Sequence, residues 1–324
     1  MSFTRWSKSG LDSLVNGCAA RVYFGKVLGY PDPGSPQSAL GTAYHAAVEA
    51  HERQRLLHLR DGAEMRWLDC HSTGLKALTR ELSKLPDVMF ERHDLTPGDC
   101  AQMLGTAIDA WWEAPIPQGQ PGEGQSLRDR VLAWRPVAVE PYFTAPLADV
   151  SERPLHGYID ALYYDPEAGQ YVTVDHKSTA HFRSWPTSGA GHELEATVYT
   201  VGSEVARNLP PRADVRHEWH IARRETGSTS RFEAVRCIAL QPGEVEYAHL
   251  QGMVQRADAI VEAGAWHKAP HWNLCSPKWC PMHVDAGGPC DPEVSAADDP
   301  LLPVVAEPAG VGPTLVDSPA SVGN

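Results

Sequence analysis

The sequence predicts an α/β fold, and three observations carry that expectation. Alanines at 43, 46, 47 and 50 follow Gly41 with helix-forming, closely packing periodicity. Two β-rich runs, 157–164 and 171–175, flank the turn-forming stretch Asp165–Gly169. Beyond them, helical and extended patterns alternate to residue 265.

In chain order, residues 9–17 read as a short helix ending near Gly17, with a second beginning after it. Residues 30–37, rich in Pro, Gly and Ser, read as a loop, and the long helix opens at Gly41. Residues 62–114 continue as helical material with breaks expected near Gly74, Pro86 and Pro97. Residues 114–125 form a loop, and strands are expected at 131–134 and 137–143. A helix over 192–208, strands over 218–222 and 232–240, and a helix over 242–265 complete the pattern. The likeness of Gly41–Glu49 to Gly105–Glu113 involves two copies only, too few for a repeat architecture.

A chain of 324 residues can bury one large core. The net charge of −13 speaks against a nucleic-acid binder until its distribution is considered. Six of the acidic residues lie beyond residue 290 with no Lys or Arg among them, which leaves −7 on the rest. That terminal stretch, 291–324, is rich in Pro, Ala and Asp and is expected to be a disordered acidic tail. No apolar run reaches 18 residues and no secretory signal opens the chain, so a cytoplasmic protein without a membrane span is expected. No P-loop occurs, so any DNA unwinding must come from a partner.

The chemistry concentrates in the hairpin. Asp160 is expected in its first strand and Asp175 near the end of the second. Two carboxylates brought together repel unless a cation lies between them, and Mg²⁺ or Mn²⁺ suits such oxygen ligands. Strand alternation places Lys177 on the same face as Asp175, beside that cation, where an ammonium can meet a phosphate or orient a water.

The stretch Gly157-Tyr158-Ile159-Asp160, followed by Val172-Thr173-Val174-Asp175-His176-Lys177-Ser178-Thr179, resembles the G-x-I-D … V-V-D-x-K-T/S core of RecB-like nucleases in the PD-(D/E)XK superfamily. Gly41–Glu49 resembles the G-T-x-x-H-x-x-x-E helix of that group, and Ser9–Tyr23 its opening segment. With the late cysteines, the whole is similar to the CRISPR-associated, RecB-like exonucleases that are also common in bacteriophages. The likeness spans roughly residues 9–290 in motif order, although 50–135 add nothing specific.

This resemblance implies a restriction-endonuclease-like core, a mixed sheet flanked by helices, with an N-terminal helical region and a C-terminal cysteine-rich metal-binding segment. Residues 1–290 would form one domain, with 50–130 a helical insertion and 266–290 closing onto Cys18. His45, Asp160, Asp175 and the backbone carbonyl of His176 would hold Mg²⁺ or Mn²⁺, and Lys177 would be the catalytic lysine. Glu49 is expected to stabilise its helix rather than bind metal. Tyr199 fits the family's Q-x-x-x-Y helix, but Glu195 stands where Gln is usual and would repel phosphate unless it pairs with Lys177 or a metal. Asp175 stands where Glu is frequent. The implied activity is metal-dependent exonuclease cleavage of DNA ends or single strands, in recombination, repair or CRISPR-type processing, with a separate helicase or recombination protein as partner. The cellular setting would be the host cytoplasm for a phage-encoded chain. A catalytically inactive nucleic-acid-binding or assembly module and a structure-specific endonuclease are the alternatives.

Seven cysteines without an export signal do not suggest disulfides. In the family, one early and three late cysteines hold a 4Fe–4S cluster, which would assign Cys18, Cys275, Cys280 and Cys290 here. The spacing departs from the usual close pair. A Zn²⁺ site of the late trio with His283, or free thiols, are the other readings. Cys70, Cys100 and Cys237 are expected to be buried small hydrophobes. Trp266, Trp272 and Trp279 are expected to pack around the cysteine loop rather than stack on bases.

Overall fold

Ser35 starts the longest helix of the protein, α3 (Pro36–Asp61): its hydroxyl accepts the Ser38 amide, the Ser38 hydroxyl accepts the Ser35 amide, and Pro36 sits in the first turn. The helix therefore opens inside the stretch expected to be loop, and Gly62 in the left-handed conformation ends it. The computed structural model describes residues 3–62, 64, 68–147, 149–179, 192–210, 214–225, 231–271, 274–296 and 298–302.

Two short helices, α1 (Lys8–Val15) and α2 (Ala19–Val22), precede α3, the second running into a π-helical turn, Tyr23–Val27. After α3 come α4 (Leu68–Leu82), α5 (Asp87–His93) and α6 (Pro97–Trp112). Gly74, expected to break the chain, lies inside α4. A Cβ there would come within 3.1 Å of Ala47 Cβ and 3.3 Å of the Ala43 carbonyl, so its bareness lets α3 and α4 approach. Residues 131–134 also differ from expectation. They are the end of helix α7 (Leu127–Leu132) and the turn that follows it, because Ser126 caps the helix through the Asp129 amide and Leu127 and Val131 are buried one turn apart.

The central sheet has five strands in the order β1 (Arg135–Val139), β4 (Ala161–Asp165), β5 (Gln170–Thr179), β6 (Val215–Arg224), β7 (Phe232–Ile238). Only β5 and β6 run parallel, which makes the sheet mixed. Between β5 and β6 the chain returns through α8 (Glu193–Arg207), and α9 (Glu244–Ala263) follows β7. One core lies between α3, α4, α6 and a sheet face carrying Tyr163, Val172 and Val174.

A second core gathers α1, α2, α9, the C-terminal segment and a separate two-stranded sheet, β2 (Tyr142–Leu147) with β3 (Ser151–Tyr158). Gly157 thus belongs to β3 rather than to the hairpin. There it makes room for Phe143, whose ring a Cβ at Gly157 would meet at 3.0 Å and one at Gly202 of α8 at 2.6 Å.

The stretch expected to be a disordered acidic tail makes contacts with the domain as far as Leu302. Lys268 donates to the carbonyls of Asp291 and Val294 and pairs with Asp299 at 2.6 Å, while Leu302 is buried in the second core. One buried ammonium with three oxygen partners fixes a segment whose composition gives no periodic signal. Residues 303–324 lie outside the described residues. Among the described residues, no helix is long and apolar enough to cross a membrane.

Candidate active site

Asp160 occupies a bend between β3 and β4 instead of a strand position as expected. The bend is held by its neighbours: the Ile159 amide donates to the Pro141 carbonyl, and the Glu140 amide donates to the Asp160 carbonyl at 3.0 Å. Freed from the strand, the Asp160 carboxylate accepts the His176 amide at 2.8 Å and lies 3.2 Å from His45 Nδ1 on α3. Burial opposes ionisation of Asp160, yet the His45 hydrogen bond and the charges of His45 and Lys177 hold its carboxyl well below the usual range. Burial likewise works against a charged His45, and the hydrogen bond and charge of Asp160 outweigh it, raising the imidazole.

Glu140 joins this pair. His45, Glu140 and Asp160 each offer a ligand atom within 4.8 Å of the others, a nitrogen and two carboxylate oxygens suited to a hard divalent cation. Burial and then the charge of Asp160 push the Glu140 carboxyl up to about 7, the mark of a carboxylate placed where a cation would relieve it. No motif spacing points to it. Glu140 is the last residue before Pro141, and its left-handed backbone (φ 52°) together with the register of β1 on β4 turns it toward Asp160.

Along β5, Asp175 and Lys177 do share a face: the ammonium lies 2.7 Å from Asp175 Oδ2 and 2.9 Å from Oδ1. It also lies 3.3 Å from Glu195 Oε1 on α8. Glu195 accepts the indole N–H of Trp219 at 3.2 Å, and Lys8 at the start of α1 stands 3.8 Å away. Burial raises the Glu195 carboxyl, but Lys177 and Lys8 overcome it and keep it ionised. Lys177 is itself held protonated, since Asp175, Glu195 and Asp160 outweigh its burial. Asp175 is raised, by burial above all, with Glu195 and Asp160 adding to it against Lys177.

Tyr199 donates its hydroxyl to Asp175 Oδ1 at 3.1 Å. Its ring stacks on His217 with centroids 4.9 Å apart, and His217 Nδ1 meets the Thr173 hydroxyl at 2.6 Å. His217 and Trp219 are thus supports that motif reading missed; both are buried residues of β6, and only its parallel register with β5 sets them beneath Asp175. The His176 imidazole faces away, edge-on to Trp111 and His220, and burial keeps it neutral with a pKa of about 3. Only the main chain of His176 is turned toward the site. Glu49 pairs with Arg53 one turn on, as a helix-stabilising residue does.

The late cysteines return to the N-terminus. Ala20 donates its amide to the His267 carbonyl, and the Cys18 thiol points at the same oxygen. The loop is tied by Cys280 to Ser276, Cys290 to Met282 and Val284 to Cys290, all through the backbone. Burial, then the nearby thiols of Cys18, Cys280 and Cys275, push Cys290 up to about 12 although Lys268 opposes them. Cys275 and Cys280 are raised too, by burial and in part by Cys18. All four are free thiols, and among the described residues the ligand atoms that lie within 4.8 Å of one another belong to His45, Glu140 and Asp160 rather than to these cysteines. His283 Nδ1 accepts the Asp285 amide at 3.2 Å. Cys70, Cys100 and Cys237 are buried elsewhere, and burial raises Cys100 to about 11. Trp266 packs on Tyr23 and Phe3, and Trp279 on His93; Trp272 lies outside the described residues.

Comparison with known proteins bears on this arrangement. A search of curated proteins returns no match. A solved structure described as "Crystal structure of SSO0001" is similar at 10% identity and a TM-score of 0.29, over 82% of this chain and 92% of that one. The family model described as the PD-(D/E)XK nuclease superfamily matches residues 5–284, and the chain, with Asp175 and Lys177 on its mixed sheet and Asp160 in the adjoining bend beside His45, belongs to that superfamily.

Proposed function

We propose that the protein is a metal-dependent DNA exonuclease acting on DNA ends or single strands, in recombination, repair or CRISPR-type processing. The observation that carries this reading is the convergence of His45, Glu140 and Asp160 beside a lysine paired with Asp175. His45, Asp160, Asp175 and the His176 carbonyl would hold Mg²⁺ or Mn²⁺, with Glu140 as a further oxygen ligand. When bound, such a cation lowers the pKa of water and offsets charge growing on a phosphate.

The chain's own groups do the rest. Lys177 holds a permanent positive charge at the edge of the site, where it contacts a phosphate oxygen and orients the attacking water. Tyr199 fixes the rotamer of Asp175, and Trp219 fixes that of Glu195. With Lys177 and Lys8 beside it, Glu195 does not present an uncompensated charge to phosphate, which answers the objection its sequence raises.

Cys18, Cys275, Cys280 and Cys290 would hold a 4Fe–4S cluster that joins the two ends of the domain; anaerobically purified protein is then brown and contains iron and acid-labile sulfide. Colourless protein with one zinc per chain would instead support the zinc reading. A separate helicase or recombination protein would supply single strands.

The test is digestion of end-labelled single- and double-stranded DNA with Mn²⁺ or Mg²⁺. Asp175→Ala and Lys177→Ala should abolish it while the circular dichroism spectrum stays native, and unchanged digestion by either variant would sink the assignment. Cutting of closed circular single strands identifies an endonuclease.

A further inference from the structure

Away from the metal ligands, three arginines from three elements meet at one cavity of about 640 Å³: Arg60 from α3, Arg135 from β1 and Arg207 from the end of α8. Tyr164 and Tyr171 form part of its wall, their rings 5.5 Å apart, and the Arg207 guanidinium lies 6.0 Å from the Tyr171 ring. Arg60 pairs with its neighbour Asp61. Among the described residues, no ion pair engages Arg135 or Arg207. In a chain of net charge −13, two of these three cations, Arg135 and Arg207, have no carboxylate partner among the described residues.

The sheet ties this cavity to the active site. Arg135 pairs with Tyr164, Tyr164 pairs with Tyr171, and Tyr171 shares its strand and its face with Asp175, four residues further along. That separation is about 13 Å at roughly 3.3 Å per residue. That face is itself closed, because Thr173 between the two is fully buried, so a strand joining them must pass over the surface and span at least about four phosphate steps at ~3.4 Å each. Helix α3 follows the same course, with His45 at the metal end and Arg60 about four turns later.

We propose that the cavity lined by Arg60, Arg135, Arg207, Tyr164 and Tyr171 binds single-stranded DNA several nucleotides from the bond to be cleaved. The guanidiniums contact backbone phosphates, and the tyrosine rings offer bases an apolar, sequence-tolerant surface. This inference rests on the nuclease reading for its direction and purpose, but the binding it describes can be measured without catalysis.

The experiment titrates full-length protein with fluorescein-labelled dT20 in EDTA at several salt concentrations, and separately follows Mn²⁺-dependent digestion. Arg135→Gln with Arg207→Gln should weaken dT20 binding at least tenfold. At about 0.7 per phosphate contact, it should also flatten the log K against log salt slope by about 1.4. Arg135→Lys with Arg207→Lys should keep the slope, and Tyr171→Leu should weaken binding at an unchanged slope. Should the double variant melt early, Arg207→Gln alone should flatten the slope by about 0.7. Digestion of dT4, too short to reach the cavity, should be unaffected. A wild-type slope in the glutamine variants, or no dT20 binding by the unaltered protein, overturns the proposal. DNA digestion with unchanged slopes leaves the nuclease reading standing and removes the groove. Groove-dependent binding without any digestion does the reverse.

Discussion

The ammonium of Lys177 lies 3.3 Å from Glu195 Oε1, a carboxylate where the sequence resemblance leads one to expect a neutral amide. Lys177 thereby has two carboxylate partners, Asp175 on its own strand and Glu195 on the facing helix. Glu195 in turn has two cationic neighbours and an indole donor. The cluster as a whole is close to balanced, which is how so many ionised groups share a buried site.

Removing Glu195 should therefore cost stability as well as activity. Glu195→Ala removes a carboxylate that accepts the Trp219 N–H and leaves Lys177 with one partner fewer, at about 1–3 kcal/mol for such a loss. Glu195→Gln keeps an acceptor for Trp219 and should retain most of the melting temperature. Calorimetry on both variants checks this; equal melting temperatures for Glu195→Ala and the unaltered protein would contradict it.

Glu140 gives the metal site a pH dependence. Its carboxyl titrates at about 7, so it is ionised above that pH and protonated below it, and protons compete with a cation for its oxygens. Mn²⁺ affinity measured by calorimetry should fall as pH drops from 8 to 6. Glu140→Gln should bind more weakly at pH 8 and show a flatter profile between the two. A variant with the same affinity and the same profile would remove Glu140 from the ligand set.

The cysteine loop depends on Gly288. A Cβ there would stand 2.3 Å from the Met282 carbonyl carbon and 2.4 Å from its oxygen, closer than backbone tolerates. Met282 is also the acceptor for the Cys290 amide, so the shift falls directly on a candidate ligand. Gly288→Ala should lower iron or zinc content per chain at least severalfold while the sheet's circular dichroism persists. Full metal occupancy in that variant would show that Cys290 is not a ligand.

Truncation should divide the C-terminus at residue 302. Ending the chain there removes only 303–324 and should leave the melting temperature within a degree. Ending it at 294 deletes Asp299 and Leu302, leaves the Lys268 ammonium buried without its carboxylate, and should lower the melting temperature by several degrees. Equal melting temperatures would mean that the Lys268–Asp299 pair contributes nothing.

The sequence by itself determined the α/β class and the order of the main elements, and it singled out His45, Asp160, Asp175 and Lys177 as candidates. Those features depend on local periodicity and on short motifs, in which residues close in the chain stay close in space. Tyr199 and Glu195 were visible for the same reason, as was the need for Glu195 to pair with a cation. What the tertiary structure decided is what depends on distant segments meeting. Glu140 reaches Asp160 through a left-handed turn and a strand pairing. His217 and Trp219 reach Asp175 and Glu195 through the parallel register of β5 and β6. Lys8 arrives from the first helix, and Asp299 finds Lys268 from a stretch whose composition suggested disorder. Gly74 and residues 131–134 misled local reading because packing between α3 and α4, and a serine cap, outweighed propensity. Motif spacing records which groups a site needs; the long-range packing that balances their charge has no counterpart in spacing along the chain.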